Sequence, residues 1–383
     1  MFIRIYFCAD YFAPRYFTWV PSAAIVWTEA APRVLLDFGR SLRVGVRVVL
    51  YDEAGAPVAE ISPQVESVIW RLAGPGTAQF RLAYNDTACK KAWLTPGRRV
   101  LFQFENGLPD WGGVIDFPLR QDAYGVVVSA FTAEKILEQR QTSKSVVFAN
   151  RTPGAICQAM IEEANAMAET GIVIGTFFAG GSPISLEYHL QNVYEQIKEL
   201  ARLSGNDLGI IPTITAGVLT FVANWYGERG EDKHDQIALV ENRNAQIASL
   251  DWQGPVYNRI TLAGEGSTWD DARMTVTDGD AASQGSYTLR EYSEVQSGKI
   301  SEATLTANAA ALVALYKDPK KRLSLAVMDR APGEFANYDI GDVVRVQAFL
   351  RWADWALDDT FRVIAREWKP DGKCTLEVEE WQA

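Results

Sequence analysis

Hydrophobic and polar positions alternate with a period of two through much of the first third of the chain. Residues 44–51, 57–61 and 65–72 read as strands, with turn chemistry at 52–55 and a stop at Gly74-Pro75-Gly76. Phe80, Leu82 and Tyr84 then alternate with Arg81 and Ala83. Val100, Phe102 and Phe104 share one side of an extended segment, with Leu101 and Gln103 on the other, and Val126 and Val128 lead to Phe131. These runs predict about seven strands between Val44 and Phe131. Their short links make neighbours antiparallel, as in a small barrel or sandwich.

The pattern returns near the C-terminus. Gly97 is followed by Val100, Gln103 and Trp111 at offsets of three, six and fourteen, and Gly341 by Val344, Gln347 and Trp355 at the same offsets. A Val-Ile pair comes after each Trp, Val114-Ile115 and Val363-Ile364, the second beyond a longer loop. Leu323, Leu325 and Val327 alternate upstream, while Leu376 and Val378 lead to Trp381. Thr95-Pro96-Gly97 and Asp339-Ile340-Gly341 are turn chemistry, where Gly is free to take positive φ. Two readings compete: any two antiparallel segments look alike at this level, or one module occurs twice. The second is adopted.

Between the copies the period changes. Residues 133–140 suit one or two helical turns. Thr152 is placed to cap a helix with Pro153 at its first position and Ile156, Met160, Ile161 and Ala164 on one face. After a Gly-rich link at 171–181, Asn192 opens a second helix with Val193, Ile197, Leu200 and Leu203 inward and Gly205 as its stop. Residues 208–214 and 218–223 form a hairpin turned at Ala216-Gly217. Further on, 257–263 reads as a strand, 264–286 as a polar connection, 287–292 as a strand and 301–316 as an Ala-rich helix ending before Pro319. The expected order is an aromatic N-terminal arm at 1–41, a β-module at 42–140, an α+β insert at 141–247 and a second β-module at 248–383. The fold class is β-rich α+β.

Composition narrows the function. A chain of 383 residues has room for two or three cores. Its net charge of −11 argues against gripping nucleic-acid phosphates. Cys8, Cys89, Cys157 and Cys374 share no metal or redox spacing and read as apolar fillers. The aromatic opening is cut by Asp10, Pro14 and Arg15, so neither a membrane span nor a signal peptide is expected.

Working chemistry is sparse. His189 and His234 each lack a second ligand at metal spacing, and Gly264-Glu265-Gly266 lacks the third Gly of a phosphate cradle. Asp270-Asp271, Asp278 with Asp280, and Asp358-Asp359 are all read as lying in loops, where turn geometry favours Asp. No catalytic residue, metal or cofactor is therefore expected, although a carboxylate pair assembled only by folding is invisible at this level.

Several stretches together resemble the hub proteins at the tip of long-tailed phage tails, a family that includes baseplate hubs and the N-terminal part of tail-associated lysins. They are 50–55 with Ser67, Trp70 and Gly76; 94–97 followed by Trp111-Gly112-Gly113-Val114-Ile115; Tyr257-Asn258-Arg259-Ile260; the Ala-rich helix at 306–315; and Ile340-Gly341-Asp342-Val343-Val344. The resemblance runs from about residue 42 to the end. It implies two duplicated tail-tube-like antiparallel β-barrel or sandwich modules and a homotrimer whose six modules form a pseudo-sixfold ring. It further implies a virion component assembled in the host cytoplasm, non-enzymatic, that passes DNA without binding it. Its partners would be distal tail or tube proteins, the tape-measure protein and tip fibre or spike proteins. The first 40 residues have no counterpart in the family, and no peptidase or lysozyme domain is seen after the second module. An alternative is a cell-wall hydrolase or saccharide-binding tail protein, with Trp111 and Trp355 as sugar platforms and Asp358 or Asp359 as acids.

Overall fold

The computed structural model describes residues 45–381 apart from 106, 144, 254–255, 265–273, 297–300 and 351–354. The aromatic arm and the Asp270-Asp271 pair lie outside these residues. The seven expected strands of the first third are present: β1 (Val46–Tyr51), β2 (Pro57–Ile61), β3 (Gln64–Arg71), β4 (Thr77–Leu82), β5 (Arg99–Phe104), β6 (Trp111–Gln121) and β7 (Val126–Phe131). Every ladder among them is antiparallel. Alternation decides the faces: Val48 and Leu50, Phe80 and Leu82, and Val100 and Phe102 all point into one apolar core.

The second half adds β13 (Ala238–Val240), β14 (Ala245–Gln253), β18 (Lys320–Val327), β19 (Val343–Leu350), β20 (Trp355–Trp368) and β21 (Cys374–Glu380). These strands do not make a separate sheet. β20 pairs antiparallel with β3 through Ala365–Arg71, Arg366–Trp70, Glu367–Ile69 and Trp368–Val68. One 13-stranded sheet results, running β14-β18-β21-β20-β3-β4-β7-β6-β5-β1-β2, with β19 and β13 branching from β20. The core is likewise common, since Phe80, Phe102 and Trp111 belong to the same buried cluster as Leu325, Phe361 and Trp368. The path runs between two ends, β14 and β2, so the described ladders close no barrel.

The middle of the chain packs on the outer face of β1, β5 and β6. The helices α1 (Glu134–Glu138), α2 (Pro153–Met167) and α3 (Val193–Ser204) join the short sheets β8 (Val146–Arg151) with β10 (Ile184–Tyr188), and β11 (Asp207–Thr215) with β12 (Val218–Tyr226) and β9 (Ile172–Phe177). Ile156, Met160, Ile161 and Ala164 are buried as the helical spacing requires, together with Val49, Leu101 and Val114 from the large sheet. Asn192 caps α3 by accepting from the Glu195 amide at 3.1 Å, and Gly205 ends it in the left-handed region. Thr152 stands at the N-cap of α2 but its side chain makes no capping hydrogen bond.

Two expectations for 264–292 fail. The polar connection contains β16 (Thr275–Gly279) and α4 (Ala281–Tyr287), and the strand expected at 287–292 begins only at β17 (Glu291–Gln296). β16 and β17 flank β15 (Arg259–Gly264), and α5 (Glu302–Tyr316) buries Leu305, Ala309 and Leu312 against Ile260 and Leu262. β16 alternates exposed and half-buried residues, so its sequence carries no apolar stripe.

Candidate functional site

The repeat-defining residues sit on two turns that share their bonding. Gly97 has φ +92° and donates its amide to the Ile115 carbonyl at 2.9 Å; Gly341 has φ +95° and donates to Val363 at 2.8 Å. One residue later the bond reverses, from Ile115 N–H to Arg98 O and from Val363 N–H to Asp342 O. Val100 and Val344 are both fully buried. Gln103 and Gln347 reach carboxylates across their hairpins, Asp110 in one and Asp358 in the other.

The ladders extend the likeness and correct one part of it. The order β3-β4-β7-β6-β5 recurs as β14-β18-β21-β20-β19. Ala78 faces Ala130 as Leu323 faces Val378, and Phe80 faces Val128 as Leu325 faces Leu376. The turn bonds make Ile115 the counterpart of Val363, one residue away from the match suggested by the Val-Ile pairs. Trp111 lies opposite Phe102, whereas Trp355 lies opposite Leu350 at the far end of a longer hairpin; the rung matching Trp111 holds Asp359, opposite Val346. The shared offset of fourteen thus does not place the two Trp residues on equivalent rungs. Sequence comparison missed a stronger sign: β3 and β14 each shift register by one residue at the same rung, between Val65 and Ser67 and between Ile247 and Ser249.

Of the groups a hydrolase or sugar platform would use, Trp111, Asp358 and Asp359 are engaged elsewhere, and the Trp355 side chain lies outside the described residues. Trp111 is 1 % exposed, donates Nε1 to the Ile69 carbonyl at 3.0 Å and meets Phe102 edge-on at 5.5 Å. Asp358 is clasped by Arg345 through Nε at 2.6 Å and Nη2 at 2.7 Å, and these bonds hold its carboxyl below the usual carboxylate range. Asp359 pairs with Lys321 at 2.9 Å. Neither aspartate is in a loop as expected: Asp358 and Asp359 sit on successive rungs of β20, and Asp278 lies in β16, because the hairpins are longer than their turn residues suggest. Asp280 caps α4 and pairs with Lys317; Asp278 bonds the Gly279 amide. His234 lies between Asp232 and Asp235, and its hydrogen bond to Asp232 raises its pKa; His189 lies 3.4 Å from Glu187. Among the described residues no group of three His, Cys, Asp or Glu could hold a metal. A cleft of about 910 Å³ between α3, α5 and the ends of β20 and β21 mixes Arg202, Arg322 and Arg362 with Glu377, Glu379 and Glu380. Arg322 pairs with Glu379 and Arg362 with Asp207, so its charges are largely spent on each other.

Buried charge instead marks the joints. Asp342, 3 % exposed, accepts from the Glu231 and Asp339 amides at 2.8 Å and from Lys233 at 2.7 Å, which ties the connection between β12 and β13 to the Gly341 turn. Arg366 is fully buried over the Tyr338 ring and donates Nη2 to the Tyr338 carbonyl. Glu134 is buried where α1 meets the insert, and desolvation pushes its carboxyl up. The folded state therefore holds this proton more tightly than the unfolded one. Its stabilising contribution is complete below the unfolded value of about 4.3 and falls as pH rises above it. Glu134→Gln should gain stability relative to wild type between about pH 4 and 7, with the two converging at the acid end, as read from urea midpoints across that range.

No protein-family model matches the sequence, and no curated protein does. Among solved structures, the 43 kDa tail protein of prophage MuSo2 from Shewanella oneidensis superposes with a TM-score of 0.53 at 12 % identity, covering 87 % of this chain and 98 % of that one. The prophage tail protein gp18 from Listeria monocytogenes EGD-e gives 0.54 at 12 %, covering 87 % and 94 %. The tail protein from Neisseria meningitidis MC58 gives 0.54 at 14 %, covering 88 % and 97 %. At such identities the likeness is one of fold: this chain has the fold of phage tail proteins.

Proposed function

We propose that the chain is a structural hub of a phage tail tip or baseplate. Three copies would close a pseudo-sixfold ring that caps the tail tube and lets DNA through. The observation that carries this reading is the recurrence of one strand order, one glycine turn and one register shift in the two halves of a single sheet. Residues 42–140 and 248–383 are then the two tube-like modules and 141–247 the insert, with β13 and β14 already in the large sheet. Two modules per chain in three chains present six similar faces to a sixfold tube. The tail-protein fold supports the same role. Tube proteins, the tape-measure protein and tip fibre or spike proteins are the partners it calls for, in a virion assembled in the host cytoplasm.

An excess of 48 acidic over 37 basic residues suits a channel that duplex DNA crosses without being held. We assign no catalysis. The alternative of a hydrolase or saccharide binder gains no support from Trp111, which is buried, or from Asp358 and Asp359, which are paired.

Light scattering on the purified chain at micromolar concentration tests the reading. A homotrimer is expected, with more than about 2,000 Å² buried between neighbours. A well-folded monomer would overturn it.

A further inference from the structure

Inside the chain, the C-terminal part of β20 is covered on both edges. β21 lies along one, and β3 along the other through Ala365 to Trp368. The counterpart of that stretch in the first half is the C-terminal part of β6. Its β7 neighbours fix the correspondence: Val127 matches Thr375 and Val126 matches Cys374, so Arg120 takes the place of Glu367 and Gln121 that of Trp368. β7 covers one edge of Arg120 and Gln121, while 117–119 bulge out of that ladder. β5 stops at the rung of Val114, and among the described residues no strand covers the other edge of 117–121. Phe117 is 70 % exposed and Tyr124, at the hairpin tip, 78 %.

The missing neighbour is identified by the same correspondence. β3 covers β20, and its counterpart is β14. Val68 faces Ala78 as Leu250 faces Leu323, Ile69 faces Thr77 as Asp251 faces Arg322, and the register shift recurs beside them. β14 ends the sheet: β18 lies on one side of it, and no strand lies on the other side of 249–252 among the described residues. Each chain thus carries two half-seams, a β20-like strand lacking its β3 and a β3-like strand lacking its β20. An uncovered edge at 249–252 is also a pairing liability unless something occupies it.

We propose that a second copy of this chain completes each half-seam, with Arg120 and Gln121 of β6, beyond the irregular turn at 117–119, pairing antiparallel to β14 of the next copy as β20 pairs to β3 within one. Carried over rung by rung, Glu367–Ile69 becomes Arg120 opposite Asp251 of the next copy, and Trp368–Val68 becomes Gln121 opposite Leu250. The register was fixed without reference to charge, yet it sets an exposed Arg against an exposed Asp. Neither has an ion-pair partner among the described residues. Opposite charges directly across an antiparallel pair are favourable. Because each copy gives one edge and receives the other, the contact is head-to-tail, and it closes as a ring where the rotation from copy to copy closes. The number three rests on the hub reading; the seam itself does not.

Full-length chains carrying Arg120→Cys with Asp251→Cys, or Gln121→Cys with Leu250→Cys, are oxidised and run without reductant beside the four single variants. Covalent trimers are expected from the double variants only. In parallel, Arg120→Asp and Asp251→Arg should each raise the concentration at which the assembly dissociates about three- to tenfold, and the double reversal should restore it. A wild-type trimer that cross-links in neither register and ignores both reversals overturns the seam and leaves the hub reading standing. A wild-type monomer overturns both. Covalent chains longer than three copies support the seam and overturn the threefold count.

Discussion

Trp111→Ala is expected to cost about 3–5 kcal/mol of unfolding free energy, read as a lower urea midpoint with an unchanged slope. The indole is 1 % exposed and meets Phe102 edge-on, and Phe102 meets Phe80 in the same way at 5.7 Å. Truncation therefore leaves a void against the Phe102 ring, which Phe80 in turn holds in place. It also strands the Ile69 carbonyl, which accepts the indole N–H at 3.0 Å and lies in β3, the strand that joins the halves. Trp111→Phe separates the two effects, keeping most of the volume while losing the donor, and should cost about 1–3 kcal/mol. An alanine variant within about 1 kcal/mol of wild type would show that this side chain is not a core element.

Gly341→Ala is expected to be the costlier of the two turn substitutions. Both glycines hold positive φ, so an alanine at either pays backbone strain of about 1–3 kcal/mol. Around Gly97 there is room, the nearest atom to an added Cβ being Glu53 Cγ at 3.8 Å. Around Gly341 there is none: the new methyl would meet the Arg229 carbonyl well inside van der Waals contact, and Gly230 packs against the same backbone. The displaced segment carries the carbonyls of Arg229 and Gly341, which accept from Arg362 at 2.7 and 3.1 Å. A loss above about 3 kcal/mol at Gly341, against about 1–2 at Gly97, is the expected contrast in paired thermal melts. Equal losses would mean that the close crossing relaxes freely.

The strands of the first third could be read from the sequence because each has a buried and an exposed face, and period two follows from that. The helices were legible for the same kind of reason: Asn192 and Gly205 supply real termini, and Ile156, Met160 and Ile161 a real stripe. Bulges defeat such reading. A shift between Val363 and Ala365 turns Arg366 into a core residue on a strand whose earlier alternation pointed elsewhere. A difference in hairpin length breaks the match between Trp111 and Trp355, since a constant offset in sequence need not keep a constant rung. The joint between the halves left no local trace, because a ladder between strands far apart in sequence has no periodic signature.

That ladder has a consequence for how the molecule is made. Arg366 and Trp70 face each other across 296 positions, so the centre of the sheet cannot exist until nearly the whole polypeptide has left the ribosome. Until then β3 waits with one edge bare and half its core unfilled, while the compact insert, built from nearby segments, can form early. Through the last third of its synthesis the nascent protein is a folded middle flanked by an unfinished sheet. Chaperone dependence, and sensitivity to the speed of translation over the last strands, follow from that order of events.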